Sequence, residues 1–184
     1  MICSLLIMLL VMNGCAKSDD AYEQMVNLRK AIGEAKSCSF DVEVCADYED
    51  EISTFQMFCK INTDGGLGFE VTKPESIAGI TGNFGDDYSN ITFDDHVLAF
   101  ERMVDGRITP VSAPWIFLKA LRSGYIQGCS ETDNGIKVML NDSYEDDAFH
   151  LYVWLNAQNV PFAAEIYWEG VRVMTLKISE FSFL

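Results

Sequence analysis

Residues 39–61 read SFDVEVCADYEDEISTFQMFCKI, and the alternation in that stretch decides the fold. Phe40, Val42, Val44, Ala46 and Tyr48 alternate with Asp41, Glu43, Cys45 and Asp47, the period of a strand with one buried face. Glu49-Asp50 supplies a turn, after which Phe55, Met57, Cys59 and Ile61 resume the alternation. A turn confined to Glu49-Asp50 sets Phe55 opposite Val44 and Met57 opposite Val42. In that register Cys59 shares the inward face with Cys38 as a diagonal neighbour, while Cys45 points outward.

Further strands follow. Asp64-Gly65-Gly66 is a turn signal leading into a strand through Leu67, Phe69 and Val71, which Pro74 ends. Short extended pieces are expected at 77–84, 90–93 and 96–101, separated by Gly82, Gly85-Asp86-Asp87 and Asp94-Asp95, and Asp105-Gly106 closes the first half. In the second half Asn134-Gly135 marks a hairpin, with strands expected at 136–140, 149–155, 162–168 (after Pro161) and 171 to about 183.

Two segments carry the helical period instead. Asp20 and Glu23 have capping-box spacing, and Ala21, Met25, Leu28, Ile32 and Ala35 form one face of a helix over about 19–36. Acidic residues at its start and Arg29, Lys30 and Lys36 toward its end suit the macrodipole. In the second segment Ser112 is placed to cap, Pro114 fits the first turn and Gly124 stops the helix. Trp115, Ile116, Phe117, Leu118, Ala120 and Leu121 cover most of its circumference and leave Lys119 and Arg122 as a polar stripe, so it is expected to be buried. The order helix, meander, helix, meander, with no low-complexity linker, reads as one α+β domain: a large antiparallel sheet with helices on one face.

Residues 1–14 hold no charged side chain and run apolar from Leu5 to Val11. That is too short for the roughly 20 residues of a membrane span, and it has the length of a signal-peptide core. Its ending, Val11-Met12-Asn13-Gly14-Cys15, resembles a lipobox in Gly14 and Cys15; Met12 stands where leucine is commoner and Asn13 is an unusual neighbour. The expectation is a lipoprotein signal peptide at 1–14, acylation of Cys15, and a single domain over 15–184 held by lipid at the outer face of the cell membrane. A buried core segment is the competing reading, and it loses because Ala16-Lys17-Ser18-Asp19-Asp20 turns polar at once. Met1-Ile2-Cys3-Ser4 lacks the basic start of a signal peptide, which implies either a start further upstream or an inefficient leader.

The uncharged leader leaves the whole formal charge of -15 to the exported part. Such a surface repels phosphate backbones, so no nucleic-acid partner is expected, and it keeps the domain soluble beside an anionic membrane. With Cys3 and Cys15 set aside, Cys38, Cys45, Cys59 and Cys129 remain. They permit two disulfides in three connectivities, with Cys38–Cys59 favoured by register over Cys45–Cys59; free buried thiols are an equal alternative. There is no C-x-x-C pair and no histidine at zinc spacing, so neither metal nor cofactor is expected.

Catalytic constellations are sparse. His96 and His150 lie far apart in predicted strands, there is no Gly-x-Ser-x-Gly elbow, and Gly65-Gly66-Leu67-Gly68 lacks the Lys-Ser/Thr of a phosphate loop. Asp86-Asp87, Asp94-Asp95 and Glu145-Asp146-Asp147 lack calcium-loop spacing and read as solvated loop tips. Paired carboxylates among the 28 acidic residues are the one enzymatic route left open. Aromatic residues make up 12% of the chain, with Trp115, Trp154 and Trp168 all in the second half. They either fill the interior or line a lipophilic groove.

The chain resembles the carrier-like half-barrel lipoproteins related to the outer-membrane lipoprotein carrier protein, whose Gram-positive members include lipoproteins of sporulation and spore germination. The likeness covers roughly residues 38–184 and rests on three parts. They are Phe69-Glu70-Val71-Thr72-Lys73-Pro74-Glu75 leading to Ala78-Gly79-Ile80-Thr81, then Thr109-Pro110-Val111-Ser112-Ala113-Pro114, and Trp154-Leu155 with Asn159-Val160-Pro161 and Glu165-Ile166-Tyr167-Trp168. The resemblance implies a strongly curved, unclosed antiparallel sheet with an N-terminal helix and a buried middle helix on its concave face. It also implies that this face holds acyl chains or lipoproteins, here through Phe40, Val42, Val44, Phe55, Met57, Phe69 and Val71 with Trp115 and Leu118. Three readings follow: a tethered, non-enzymatic module for a lipid or lipophilic group; a protein-interaction or regulatory lipoprotein of the envelope or of sporulation and germination; and, last, an enzyme on envelope polymers.

Overall fold

The opening stretch folds as its alternation demands. Strands β1 (Cys38–Asp47) and β2 (Ile52–Ile61) pair antiparallel with Val44 opposite Phe55 and Val42 opposite Met57. Along β1 every even-numbered residue from Cys38 to Ala46 is buried and every odd one up to Cys45 half-buried. The computed structural model describes residues 16–47, 52–62, 65–93, 96–99, 103–104, 107–144 and 148–183. The expected leader at 1–14, Cys15, the Glu49-Asp50 turn, Asp64, Asp94-Asp95, Asp105-Gly106 and the Glu145 run lie outside them.

Helix α1 spans Ala16–Glu34, so Asp20 and Glu23 sit inside the helix and not at its cap. The apolar face is nonetheless the expected one: Ala21, Met25, Leu28 and Ile32 are buried. After β2 come β3 (Leu67–Lys73), β4 (Thr81–Phe84), β5 (Ser89–Phe93) and β6 (His96–Ala99), completing a first meander. The piece expected at 77–84 is divided: Glu75–Ile77 is a 3-10 turn and only its end is strand. Gly82 does not break that strand but lies within it, because the Phe69 ring packs over it; a Cβ there would come within 2.5 Å of that ring and of the Asn90 carbonyl.

Two short strands absent from the sequence reading, β7 (Met103–Val104) and β8 (Arg107–Ile108), form a separate ribbon. A 3-10 turn at Pro110–Ser112 then leads into α2 (Ala113–Ser123). The second meander is β9 (Tyr125–Thr132), β10 (Gly135–Asn141), β11 (His150–Asn156), β12 (Pro161–Trp168) and β13 (Val171–Phe183). Of these, β9 was legible only through the Asn134-Gly135 turn that follows it.

The strands make one eleven-stranded antiparallel sheet in the order β6-β5-β4-β3-β2-β1-β13-β12-β11-β10-β9. The first meander runs outward from the middle to β6 and the second runs inward from β9 to β13, and the one non-sequential junction joins β1 to β13, pairing Val44 with Leu176 and Val42 with Ile178. Register shifts interrupt the β1/β13, β2/β3, β9/β10, β11/β12 and β12/β13 ladders. Such bulges add bend and twist. The sheet is curved and unclosed, with β6 and β9 as its two edges: the α+β half-barrel class expected.

This topology explains the middle helix. The chain leaves the sheet at one edge and re-enters at the other, so residues 100–124 must carry it across. The eight buried residues of α2, from Ala113 to Leu121 with Lys119 excepted, make that crossing part of the core. Ser112 does not cap the helix through its side chain as expected; it is already helical, and its Oγ donates to the Thr109 carbonyl at 2.7 Å. Gly124 ends α2 as expected, but with φ -61°, so its need is for space: a Cβ would lie 2.6 Å from the Ala120 carbonyl and 2.8 Å from that of Asn141.

Candidate functional site: the concave face

The nine side chains assigned to the concave face are brought together. Phe40, Val42, Val44, Met57, Phe69, Val71, Trp115 and Leu118 are all exposed by 4% or less, and Phe55 is half-buried against the same cluster. Phe40 meets Phe117 of α2 edge-to-face at 6.0 Å and stacks on Phe181 at 5.6 Å, while Phe69 stacks on Phe84 at 5.4 Å. In this conformation the face is therefore filled by the protein's own side chains.

The assigned set drew its strand residues from one limb, and the structure draws equally on the other. Val138, Val153, Leu155, Ile166, Met174 and Leu176 are as buried as Val44. Their alternation within 136–178 was legible. Their convergence with the first limb was not, because it depends on the β1/β13 junction between residues 128 or more positions apart.

The interior carries almost no reactive chemistry. Ser112 is the only polar residue fully buried among the described residues, and its hydroxyl is satisfied. Cys38 and Cys59 share the inner face, as register required, and all four described cysteines are free thiols. Burial pushes the Cys38 thiol up to about 12 and the Cys59 thiol further, so both stay protonated and unreactive at neutral pH. His96 and His150 stand on opposite limbs of the sheet, and His150 Nδ1 is 2.7 Å from Asn141 Oδ1 across the β10/β11 pair. Among the described residues no three His, Cys, Asp or Glu side chains gather as a metal site.

Polar order lies on the outer face. Lys177 donates to Glu43 at 2.7 Å and Gln56 donates to the same carboxylate at 3.0 Å. Glu165 accepts from Tyr167 and from Arg172, each at 3.0 Å, and the Lys137 ammonium sits 3.8 Å from the centre of the Tyr152 ring. Each pair spans neighbouring strands or neighbouring positions on one strand, which is how a solvated sheet face is stabilised.

Arg29 ties the two helices together. Its Nε donates to the Leu121 carbonyl at 2.8 Å, and its Nη2 to the carbonyls of Gly124 at 2.7 Å and Ala120 at 3.3 Å. These oxygens lie at the C-terminal end of α2, where carbonyls run short of partners within the helix, although that of Ala120 also accepts from the Gly124 N–H at 2.9 Å. No described helix is long and apolar enough to cross a membrane.

No protein-family model matches the chain, and no curated protein matches it either. Solved structures do. An uncharacterized conserved protein from Thermus thermophilus is 15% identical with a TM-score of 0.49, over 90% of this chain and 88% of that one. A LolA superfamily protein from Nitrosomonas europaea is 10% identical with a TM-score of 0.46, over 89% and 93%. The lipoprotein LppX from Mycobacterium tuberculosis is 15% identical with a TM-score of 0.43, over 89% and 96%.

Proposed function

We propose that this chain is a lipoprotein anchored through Cys15 outside the cytoplasmic membrane, of the Gram-positive branch of the half-barrel carriers, and that it holds a lipid or acyl chain without catalysing a reaction. One observation supports this reading above the others: an unbroken apolar layer lies between the concave sheet and an eleven-residue helix strung across the sheet's open side. An acyl chain gains about 0.8 kcal/mol for each CH₂ it buries in such a layer. Trp115, Phe117 and Leu118 occupy the layer at rest, so entry of a chain replaces one apolar lining with another. The leader ending at Gly14-Cys15 places this face beside the source of such chains.

Delipidated protein titrated with a fluorescent fatty-acid probe should saturate at about one probe per chain; absence of any uptake by folded protein would remove the lipid-binding half of the proposal. The tether is tested separately, since Cys15→Ser should lose metabolic palmitate label and leave the membrane fraction. Membrane retention of that variant without label would remove the anchor.

The filled concave face and the two outermost strands of the sheet, β6 and β9, support a second reading as a protein-interaction lipoprotein of the envelope or of sporulation and germination. Its signature is stoichiometric recovery of one specific protein with the native lipoprotein and no bound lipid by mass spectrometry.

A further inference from the structure

Three hollows of about 210, 260 and 380 Å³ adjoin one another where α1, α2 and the β4–β5 turn meet, and Arg122 lines all three. Their walls carry four cations, Arg29, Lys36, Lys119 and Arg122, against two carboxylates, Asp86 and Asp87. The chain as a whole has 28 acidic side chains to 13 basic ones, so the sign is reversed locally. None of the four cations lies within 4.0 Å of a carboxylate among the described residues.

The end of α2 does not account for them. Arg29 already meets the carbonyls of Ala120, Leu121 and Gly124 there. Arg122 reaches away from the helix to the Gly65 carbonyl through Nη1, which leaves donors on the other guanidinium nitrogens. The Lys119 ammonium makes no bond to any described residue. Trp115, 3% exposed, lines two of the hollows, and its Nε1–H is buried with no acceptor among the described residues. A buried donor left unpaired is costly.

We infer that these hollows are one seat for a phosphate-bearing group, held by Arg122 and Lys119 at the end of the apolar layer. A guanidinium fork beside an ammonium is the arrangement that suits phosphate oxygens. The inference rests on the lipid-binding reading for its source, because Trp115 belongs at once to this wall and to the concave core; the ligand class is then an anionic, phosphate-headed amphiphile.

Full-length protein in a neutral detergent is titrated calorimetrically with dodecyl phosphate, dodecyl glucoside and inorganic phosphate. Dodecyl phosphate should bind at least about tenfold more tightly than the glucoside, the effect of one or two charge-assisted hydrogen bonds. Lys119→Gln with Arg122→Gln should erase that preference and leave glucoside binding unchanged. Lys119→Gln alone removes no described bond, so its fold is secure, and it should lose about threefold or more. A double variant that still prefers dodecyl phosphate, or a wild type that binds both amphiphiles equally, overturns the seat while leaving lipid binding intact. Inorganic phosphate binding that weakens in the variant, with neither amphiphile bound, supports the seat, assigns it to free phosphate and removes the lipid reading. Silence of all three probes overturns both.

Discussion

Arg29, half-buried on α1, supplies the polar tie to the C-terminal carbonyls of α2, and desolvation by burial lowers its pKa without neutralising a guanidinium. Arg29→Leu keeps the aliphatic packing and removes the Arg29 donors from the Leu121 and Gly124 carbonyls, so it should cost about 2–4 kcal/mol in urea denaturation, with far-UV signal retained. Glu43 has a different kind of role. Hydrogen bonds from Lys177 first and Gln56 second, with the nearby ammonium charges, hold its carboxyl below the usual carboxylate range. A carboxyl whose folded pKa is depressed contributes stability above its unfolded pKa and loses it as pH falls through the folded one. The fall in Tm between about pH 5 and about pH 3 should therefore be steeper for wild type than for Glu43→Gln, read by scanning calorimetry at each pH. Glu43 and Gln56 were legible as outward cross-strand neighbours from the hairpin register. Arg29's partners were not, since they lie more than 90 positions away.

Among the elements α2 is the most exposed to substitution, because an eleven-residue helix has no stability of its own and depends on what it buries. Leu118 is fully buried between helix and sheet. Leu118→Ala should cost about 2–5 kcal/mol by chemical denaturation and increase uptake of a hydrophobic dye. The helix was readable from its all-round apolar run bounded by Pro114 and Gly124, yet the reasons at both ends were not. Ser112 donates its hydroxyl to a preceding turn, and Gly124 is required both by the Ala120 carbonyl of its own helix and by a strand carbonyl, Asn141, that comes near only after folding.

For the whole molecule the decisive feature is that the last strand is a central one. β13 sits between β1 and β12, so the first and last described strands close the sheet in its middle. Deleting residues 171–184 should therefore abolish cooperative folding, judged by loss of near-UV dichroism and of a thermal transition, where trimming an edge strand would leave one. The same long-range closure makes folding slow for the chain's size, since loop entropy is spent before β1 and β13 reward it.

Local chemistry was enough to assign most strands, both helices, the inward faces and the β1/β2 register, because period, turn residues and side-chain volume act over a few positions. It also sufficed for the acidic charge balance of the chain. The β1/β13 junction, the filling of the concave face from both limbs, the close approaches at Gly82 and Gly124 and the cationic seat around Arg122 came from folding alone. Each depends on contacts between different elements, some neighbouring in the chain and some far apart, and no periodicity within one element encodes which surface it will meet.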